Sequence, residues 1–125
     1  MNILVTGSLG FVGSHLAKRY YYQGHNVIGI DNGVGGYDDN LTEVQTYKID
    51  CCDQSNLDIL FARNKFDLVI HAACTAYEGL SVVSPVFVTR NTYDATVNVV
   101  TTSIKHGVKK FVYMSSMARY GKQQP

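Results

Sequence analysis

Three glycines at a fixed spacing constrain this chain more than any other feature of its sequence. Gly7, Gly10 and Gly13 lie in residues 6–15, TGSLGFVGSH, directly after the apolar residues 3–5. In such a motif the first glycine permits a tight turn, the second lets the backbone approach a pyrophosphate, and the third allows a helix to pack closely on a strand. A strand before the motif and a helix after it indicate a phosphate-binding turn. A glycine-rich turn without a ligand is the alternative.

Apolar runs and helically spaced apolar residues alternate along the chain. They predict strands at 2–6, 26–30, 44–49, 66–71 and 110–114, and helices at 11–23, 54–64 and 85–105. Residues 31–43, 72–84 and those from 115 onward are predicted to be irregular. Strands that are apolar throughout and separated by helices indicate parallel β–α–β units covered on both faces. The predicted fold is therefore α/β, a Rossmann-type doubly wound parallel sheet of about five strands in the order 3-2-1-4-5.

Length and composition limit the class of protein. A chain of 125 residues forms one domain, here residues 1–125, and 46% hydrophobic against 17% charged residues indicates a globular one. A net charge of +1 disfavours nucleic acid or an anionic membrane as the main partner, and no apolar run reaches the roughly 18 residues of a membrane span. Three cysteines, two of them adjacent, form neither a disulfide framework nor a standard metal site. We expect a reduced, cytoplasmic protein without a metal.

An acidic residue ends the second predicted strand. Asp31 lies 18 positions beyond Gly13, near the distance expected for the acid that binds the adenosine ribose of a dinucleotide. A carboxylate there accepts both ribose hydroxyls and repels a 2′-phosphate, so it favours NAD over NADP. The alternative is an aspartate that caps the loop after the strand. Asn32 either shares the ribose contact or belongs to the turn.

These residues resemble the extended short-chain dehydrogenases, the family of NAD-dependent nucleotide-sugar epimerases and dehydratases. The resemblance covers the whole chain: residues 6–15 match the family's opening motif, and Asp31-Asn32 matches its acid–Asn pair. It implies that NAD is the cofactor. In these two segments the implied cofactor-binding residues are Gly7, Gly10, Phe11, Val12, Gly13, Asp31 and Asn32.

Later segments extend the resemblance. Asp50, after the third strand, is similar to the family's aspartate that meets the adenine amino group, and Cys51 beside it would give a backbone contact. Ala72 and Ala73 follow the fourth strand and resemble the segment under the nicotinamide ribose. Asn91 matches an asparagine at the cofactor site.

The family's catalytic residues are only partly matched. Residues 115–121, SSMARYG, resemble the family segment in which a catalytic Ser or Thr lies four positions before a Tyr, which makes Ser116 the candidate. The family's Tyr-x-x-x-Lys has no counterpart, since Tyr113 is followed by Met117 and Tyr120 by Gln124. In the family that tyrosine exchanges a proton with the sugar, and the lysine lowers its pKa.

The chain stops at Pro125, so the resemblance implies only the N-terminal, cofactor-binding part of such an enzyme, without the Tyr/Lys helix and the sugar-binding lobe. We expect this chain to bind NAD without turning over a nucleotide-sugar substrate. A non-catalytic dinucleotide-binding or sensor module, or a truncated gene product, is the alternative. A flavodoxin-like flavin protein fits the strand count, but the glycine spacing and Asp31 disfavour it.

The predicted helix 85–105 bears on self-association. In the family a neighbouring helix packs beside it, and the pair commonly forms a dimer interface. We therefore expect an exposed apolar stripe on this helix, with Val88, Ala95 and Val99 as candidates, and an open edge on the fifth strand. Both features predict a homodimer or a larger self-associated species.

Overall fold

The computed structural model describes residues 1–41 and 43–122 and contains one parallel sheet of five strands. The strands are β1 (Asn2–Thr6), β2 (Asn26–Asp31), β3 (Gln45–Lys48), β4 (Leu68–His71) and β5 (Lys110–Tyr113). Their order is β3-β2-β1-β4-β5, with every pair parallel. This confirms the predicted Rossmann-type topology. Because the strands are parallel, their carboxyl ends meet at one edge of the sheet.

Helices cover both faces of the sheet. They are α1 (Phe11–Tyr22), α2 (Gln54–Asn64), α3 (Leu80–Val83), α4 (Pro85–Thr89) and α5 (Ala95–Lys105). Ile3 and Val5 of β1 pack with Ala17 of α1, whereas Leu4 points to the other face and packs with Leu57 of α2 and Val99 of α5. The alternation along a strand therefore divides the core into two layers, one on each side of the sheet.

Local signals set the ends of the helices. Asp53 caps α2 by accepting the backbone N–H of Asn56 at 3.1 Å. The same helix ends at Lys65, which adopts the left-handed conformation with φ of 45°. After α1 the chain turns through Gly24, whose φ is 82°. Glycine adopts this conformation without steric cost, which explains why the helix ends there.

The predicted helix 85–105 is interrupted in the structure. Residues Arg90–Asp94 form a π-helical turn between α4 and α5, so the three segments are continuous but not one regular α-helix. The predicted irregular stretches contain short helical pieces, namely α3 and the 3₁₀ turns Asp38–Asn40 and Met117–Tyr120. Residue 42 of the predicted loop and residues 123–125 of the predicted closing loop lie outside the described residues.

Two expectations about apolar surfaces are wrong. The edge strands β3 and β5 are mostly exposed rather than apolar and buried throughout, because each has a neighbour on only one side in the described sheet. Ala95 and Val99 are buried at 1% and 0% exposure, because their side of α5 packs on the sheet and α2, and Val88 is half-buried. The exposed apolar side chains lie elsewhere on these helices. Within the described ranges, no helix has both the length and the apolarity needed to cross a membrane.

Candidate functional site

A cleft of about 260 Å³ opens at the carboxyl ends of β1, β2 and β4. Its walls include all of the residues that the sequence predicts for the cofactor: Gly7, Gly10, Phe11, Val12, Gly13, Asp31, Asn32, Asp50, Cys51, Ala72, Ala73 and Asn91. Ser116 does not line this cleft. It is exposed at the start of the last 3₁₀ turn, where its Oγ accepts the backbone N–H of Ala118 at 3.1 Å.

The glycine turn brings three backbone segments together. Gly7 has φ of 65°, and a Cβ on it would lie 2.7 Å from the backbone nitrogen of Ala73. A Cβ on Gly13 would lie only 2.0 Å from the carbonyl oxygen of Gly7. A Cβ on Gly10 would approach that oxygen at 3.3 Å. Gly7 and Gly13 are thus required for backbone packing, while a Cβ at Gly10, which lines the cleft, would make a tighter than ordinary contact without overlapping the backbone.

Helix α1 presents its amino end to the cleft. Gly10 is the residue before the first helical one, and it has no side chain to cap the free N–H groups of the first turn. None of the described residues in that turn, 11–14, is acidic. The N-terminus of a helix carries a partial positive charge, so this end of the cleft suits an anion such as a pyrophosphate.

Asp31 fits both roles that its sequence position allows, as a ligand for a ribose and as a cap for the loop after β2. It lies at the end of β2, is 7% exposed and lines the cleft. One carboxylate oxygen accepts the N–H of Leu9 at 3.0 Å, and the other accepts the N–H of Gly33 at 2.8 Å. Because a carboxylate has about four acceptor positions, roughly two remain for a ligand. The residue therefore caps the loop and can still bind a diol.

Asp50 and Cys51 form the wall after β3. Partial burial of Asp50 opposes ionisation, but hydrogen bonds from the Cys52 N–H and Arg90 prevail and lower its pKa below the ordinary value. These bonds measure 2.8 Å and 3.0 Å. Burial and then the charge of Asp50 raise the pKa of the Cys51 thiol to about 12, so this cysteine remains neutral. Asp50 alone supplies negative charge on this wall.

The π-helical turn Arg90–Asp94 connects the walls of the cleft. Asn91 accepts a hydrogen bond from the side-chain amide of Asn32 at 3.3 Å, which joins the turn to the end of β2. Thr92 accepts the backbone N–H of Thr75 at 3.2 Å, which joins it to the segment after β4. π-Helical turns occur frequently at functional sites, and this one holds Asn91 buried at the cleft.

A buried histidine links this helix to the glycine turn. The Thr96 hydroxyl donates its proton to the carbonyl of Thr92 at 2.6 Å, so it can only accept from His71 Nε2 at 2.9 Å. Nε2 therefore carries the hydrogen, and Nδ1 accepts from the Thr6 hydroxyl at 2.7 Å. The Thr6 oxygen also accepts the N–H of Ala73 at 3.2 Å. The bond in which Nδ1 accepts from Thr6 requires a neutral imidazole, and burial lowers the pKa of His71 to about 4.

Sequence reasoning missed a further part of the cleft lining. The residues missed are Val34, Gly35, Gly36, Ile49, Thr75 and Ala76, whereas Cys74 and Tyr77, which also line the cleft, were expected beside the cofactor and on the substrate side. Most of them belong to the irregular segments that follow β2 and β4. The general rule that ligands bind outside the carboxyl ends of parallel strands could have identified these segments, although not the individual side chains.

We predict that Gly13→Ala destabilises the fold far more than Gly10→Ala. The new methyl group at position 13 would overlap a backbone oxygen that cannot move away without shifting the turn, at a cost of roughly 3 kcal/mol or more. At position 10 the methyl group would lie 3.3 Å from the same oxygen, so a small shift relieves it, and the cost is about 1 kcal/mol, mainly from a poorer helix cap. Urea unfolding of the two variants measures the difference, and equal losses would contradict the proposed packing role of Gly13.

We also predict a pH dependence of stability that originates in His71. Above pH 6.5 its imidazole is neutral in the folded and the unfolded chain and contributes no slope. Between pH 6.5 and about 4 only the unfolded chain takes up the proton, so the free energy of unfolding falls as the pH falls. The loss from this group approaches roughly 3 kcal/mol.

Urea unfolding at several pH values between 6.5 and about 4 measures how the free energy of unfolding depends on pH. His71→Gln should reduce the slope of stability against pH, whatever its effect on absolute stability, because it removes the titrating group. His15→Gln is the matched control, since His15 is exposed on α1. An unchanged slope in His71→Gln would show that other groups cause the acid sensitivity.

Known proteins resemble this chain along nearly all of its length. UDP-glucose 4-epimerase of Caenorhabditis elegans is 35% identical over 97% of this chain and 39% of that protein. The UDP-glucose 4-epimerase of Halalkalibacterium halodurans is 37% identical over 97% of this chain and 36% of that protein. The chain thus spans less than two fifths of the length of these relatives.

Solved structures share the architecture. UDP-glucose 4-epimerase of Thermotoga maritima, crystallised with UDP-glucose, superimposes with a TM-score of 0.95 at 32% identity and covers 100% of this chain and 41% of its own. The enzyme of Bifidobacterium longum, in complex with NAD+ and UDP, gives 0.92 at 31% identity, with coverages of 100% and 40%. The family pattern itself matches residues 3–125. With this match, this fold and the glycine turn at its centre, the chain belongs to the NAD dependent epimerase/dehydratase family.

Proposed function

We propose that the cleft binds NAD and that this chain is the cofactor-binding part of an enzyme acting on nucleotide sugars. The main support for this proposal is that the uncapped amino end of α1 faces the same cleft as the carboxylate of Asp31 at the end of β2. An anion-binding helix end beside an acid that can accept a diol is the combination that a dinucleotide requires. The complex of the Bifidobacterium longum relative with NAD+ supports the proposal.

Each wall of the cleft would have its own task. The first turn of α1 and the backbone at Gly10 would bind the pyrophosphate, Asp31 with Asn32 would bind the adenosine ribose, and Asp50 with Cys51 would contact the adenine. Ala72 and Ala73 would lie under the nicotinamide ribose, and Asn91 would contact the cofactor from the helical side. All of these assignments follow from the family resemblance, and the common cleft supports them.

The substrate class follows from the relatives. Those named above are UDP-glucose 4-epimerases, and others, such as one from Oryza sativa, are named as probable UDP-arabinose 4-epimerases. We therefore propose a nucleotide sugar as substrate and an epimerase or dehydratase reaction. When bound, the cofactor supplies reversible hydride transfer at a sugar carbon. Ser116 could hydrogen-bond a sugar oxygen as a catalytic residue, but a serine hydroxyl is too weak a base to begin oxidation alone.

The 125 residues alone should bind the cofactor without turnover. Their sequence contains no Tyr-x-x-x-Lys, the pair that the resemblance assigns to proton transfer. The cytoplasm is the compartment that we propose, because all three cysteines are free and one lies exposed at the cleft.

The first test is the choice of cofactor. Calorimetry should show that NAD binds more tightly than NADP, because the charge of Asp31 repels a 2′-phosphate. Asp31→Asn should reduce the ratio of the affinity for NAD to that for NADP by roughly tenfold, because the amide keeps an acceptor for a loop N–H but loses the charge. The same protein, mixed with NAD and UDP-glucose, should leave the sugar unchanged.

Two controls define the outcome of that test. Gly10→Val should abolish binding of both dinucleotides while the far-UV circular dichroism spectrum remains, because the side chain fills the pyrophosphate position. Equal affinities for NAD and NADP in the parent chain would overturn the role of Asp31. Undiminished binding in Gly10→Val would overturn the role of the turn.

We further propose that the chain self-associates, as a homodimer or a larger species. Val82, Val83 and Val86 on α3 and α4 are 83%, 78% and 81% exposed, and Ile104 on α5 is 75% exposed. Apolar side chains exposed in this density are common at protein interfaces. The fifth strand adds an edge whose backbone groups can pair with another chain.

Size-exclusion chromatography with light scattering tests this proposal. At high micromolar concentration we expect an apparent mass of at least twice that of the chain. Val86→Lys should shift the distribution toward the monomer, because a charge on this surface opposes its burial. Lys122→Ala serves as the control at an exposed position that belongs to none of these helices. A parent chain that remains monomeric would contradict self-association.

A further inference from the structure

An arginine that no sequence motif identifies lies against the wall of the cleft that Asp50 and Cys51 form. Arg90 is the first residue of the π-helical turn, and its guanidinium donates to Oδ2 of Asp50 at 3.0 Å. The two residues are 40 positions apart in sequence. The ion pair therefore joins the helical side of the cleft to the end of β3.

A second contact fixes the backbone of the same arginine. The carbonyl of Arg90 accepts the N–H of Ala95, five residues later, which is the hydrogen-bond pattern of a π-helix. Cys52 Sγ lies 3.2 Å from that carbonyl and donates to it. The side chain and the main chain of Arg90 thus both contact residues 50–52. This double attachment holds the start of the π turn against β3.

The carboxylate of Asp50 is held on both of its oxygens. Oδ1 accepts the N–H of Cys52 at 2.8 Å, and Oδ2 accepts from Arg90. Two points of attachment fix the plane of the carboxylate, whereas a single one would leave it free to rotate. About two of its four acceptor positions remain, and Asp50 lines the cleft.

We propose that Arg90 is a positioning residue that aims the Asp50 carboxylate at the exocyclic amino group of adenine, and so contributes to the recognition of adenine over other purines. The inference rests on the proposed binding of NAD. Arg90 itself makes no contact with the cofactor in this proposal, since it lies behind Asp50 and outside the described lining of the main cleft. Its bond to Oδ2, together with the Cys52 N–H on Oδ1, gives the carboxylate one orientation.

The test compares NAD with nicotinamide hypoxanthine dinucleotide, which has a carbonyl oxygen in place of the adenine amino group. A carboxylate accepts a hydrogen bond from the amino group and repels the carbonyl oxygen. The dissociation constant of the hypoxanthine dinucleotide divided by that of NAD therefore reports the orientation of Asp50. Arg90→Met keeps an aliphatic stem but removes the charge and the donors, and it should reduce this ratio roughly threefold to fivefold. Arg90→Lys should restore part of it.

Further variants separate positioning from a general loss of structure. Asp50→Asn should reduce the ratio at least as much, and Arg90→Met added to Asp50→Asn should reduce it no further. Lys105→Ala removes another exposed ion pair, that with Asp58 at 2.9 Å, and should leave the ratio unchanged.

The outcomes are distinguishable. A parent chain that binds neither dinucleotide overturns the proposed function, and the role of Arg90 with it. If the parent binds NAD but Arg90→Met weakens both dinucleotides equally, or leaves the ratio unchanged or higher, the role of Arg90 alone is overturned. If Arg90→Met does not fold, the test uses Arg90→Lys and Asp50→Asn instead. The ratio in Arg90→Lys should then lie below that of the parent chain and above that of Asp50→Asn, and a ratio equal to the parent value would overturn the role of Arg90.

Discussion

The contact between the Gly7 carbonyl and Gly13 is the constraint on which the rest of the site depends. It allows α1 to begin directly over the carboxyl end of β1, at a distance that no side chain at position 13 would permit. The same turn approaches the backbone of Ala73, so the segment after β4 is also packed against it. The positions of the helix amino end and of two walls of the cleft therefore follow from two close backbone contacts of Gly7.

Several side chains that line the cleft also hold its walls together. Asp31 joins the end of β2 to the glycine turn through Leu9, and Asn32 joins it to Asn91 on the helical side. Asp50 makes the corresponding connection from β3 through Arg90. These bonds hold the walls in position relative to one another. A ligand that enters such a site loses less free energy to ordering the protein than it would in a flexible one.

The sequence was sufficient for the strand order and for many of the residues around the cleft, because local signals carry that information. The glycine spacing at positions 7, 10 and 13 and the acid at position 31 report on backbone geometry and on strand ends. Parallel topology then brings the carboxyl ends of the strands together. Their common location in one cleft is consistent with the cofactor roles that the resemblance implies, and those roles remain predictions.

Features that depend on distant contacts were not predictable in this way. The π turn at Arg90–Asp94 inserts a change of pitch into a segment whose residues are compatible with a plain α-helix, and its tertiary bonds to Asp50, Asn32 and Thr75 accompany it. The error at Ala95 and Val99 has the same origin: which side of a helix is covered depends on what packs against it. Periodicity alone does not contain this information.

The two acids of the cleft differ in how their charge is balanced, and this difference determines what each can recognise. Asp31 receives two backbone N–H groups, and no Lys or Arg in the described part of the chain forms an ion pair with it. No cation among the described residues is therefore in place to offset a phosphate beside it. Asp50 is paired with Arg90, so the pair is nearly neutral and acts through the direction of its free lone pairs. A cleft with a positive helix end, an unpaired acid and a paired acid can thus distinguish an anion, an uncharged diol and an uncharged amino group by position.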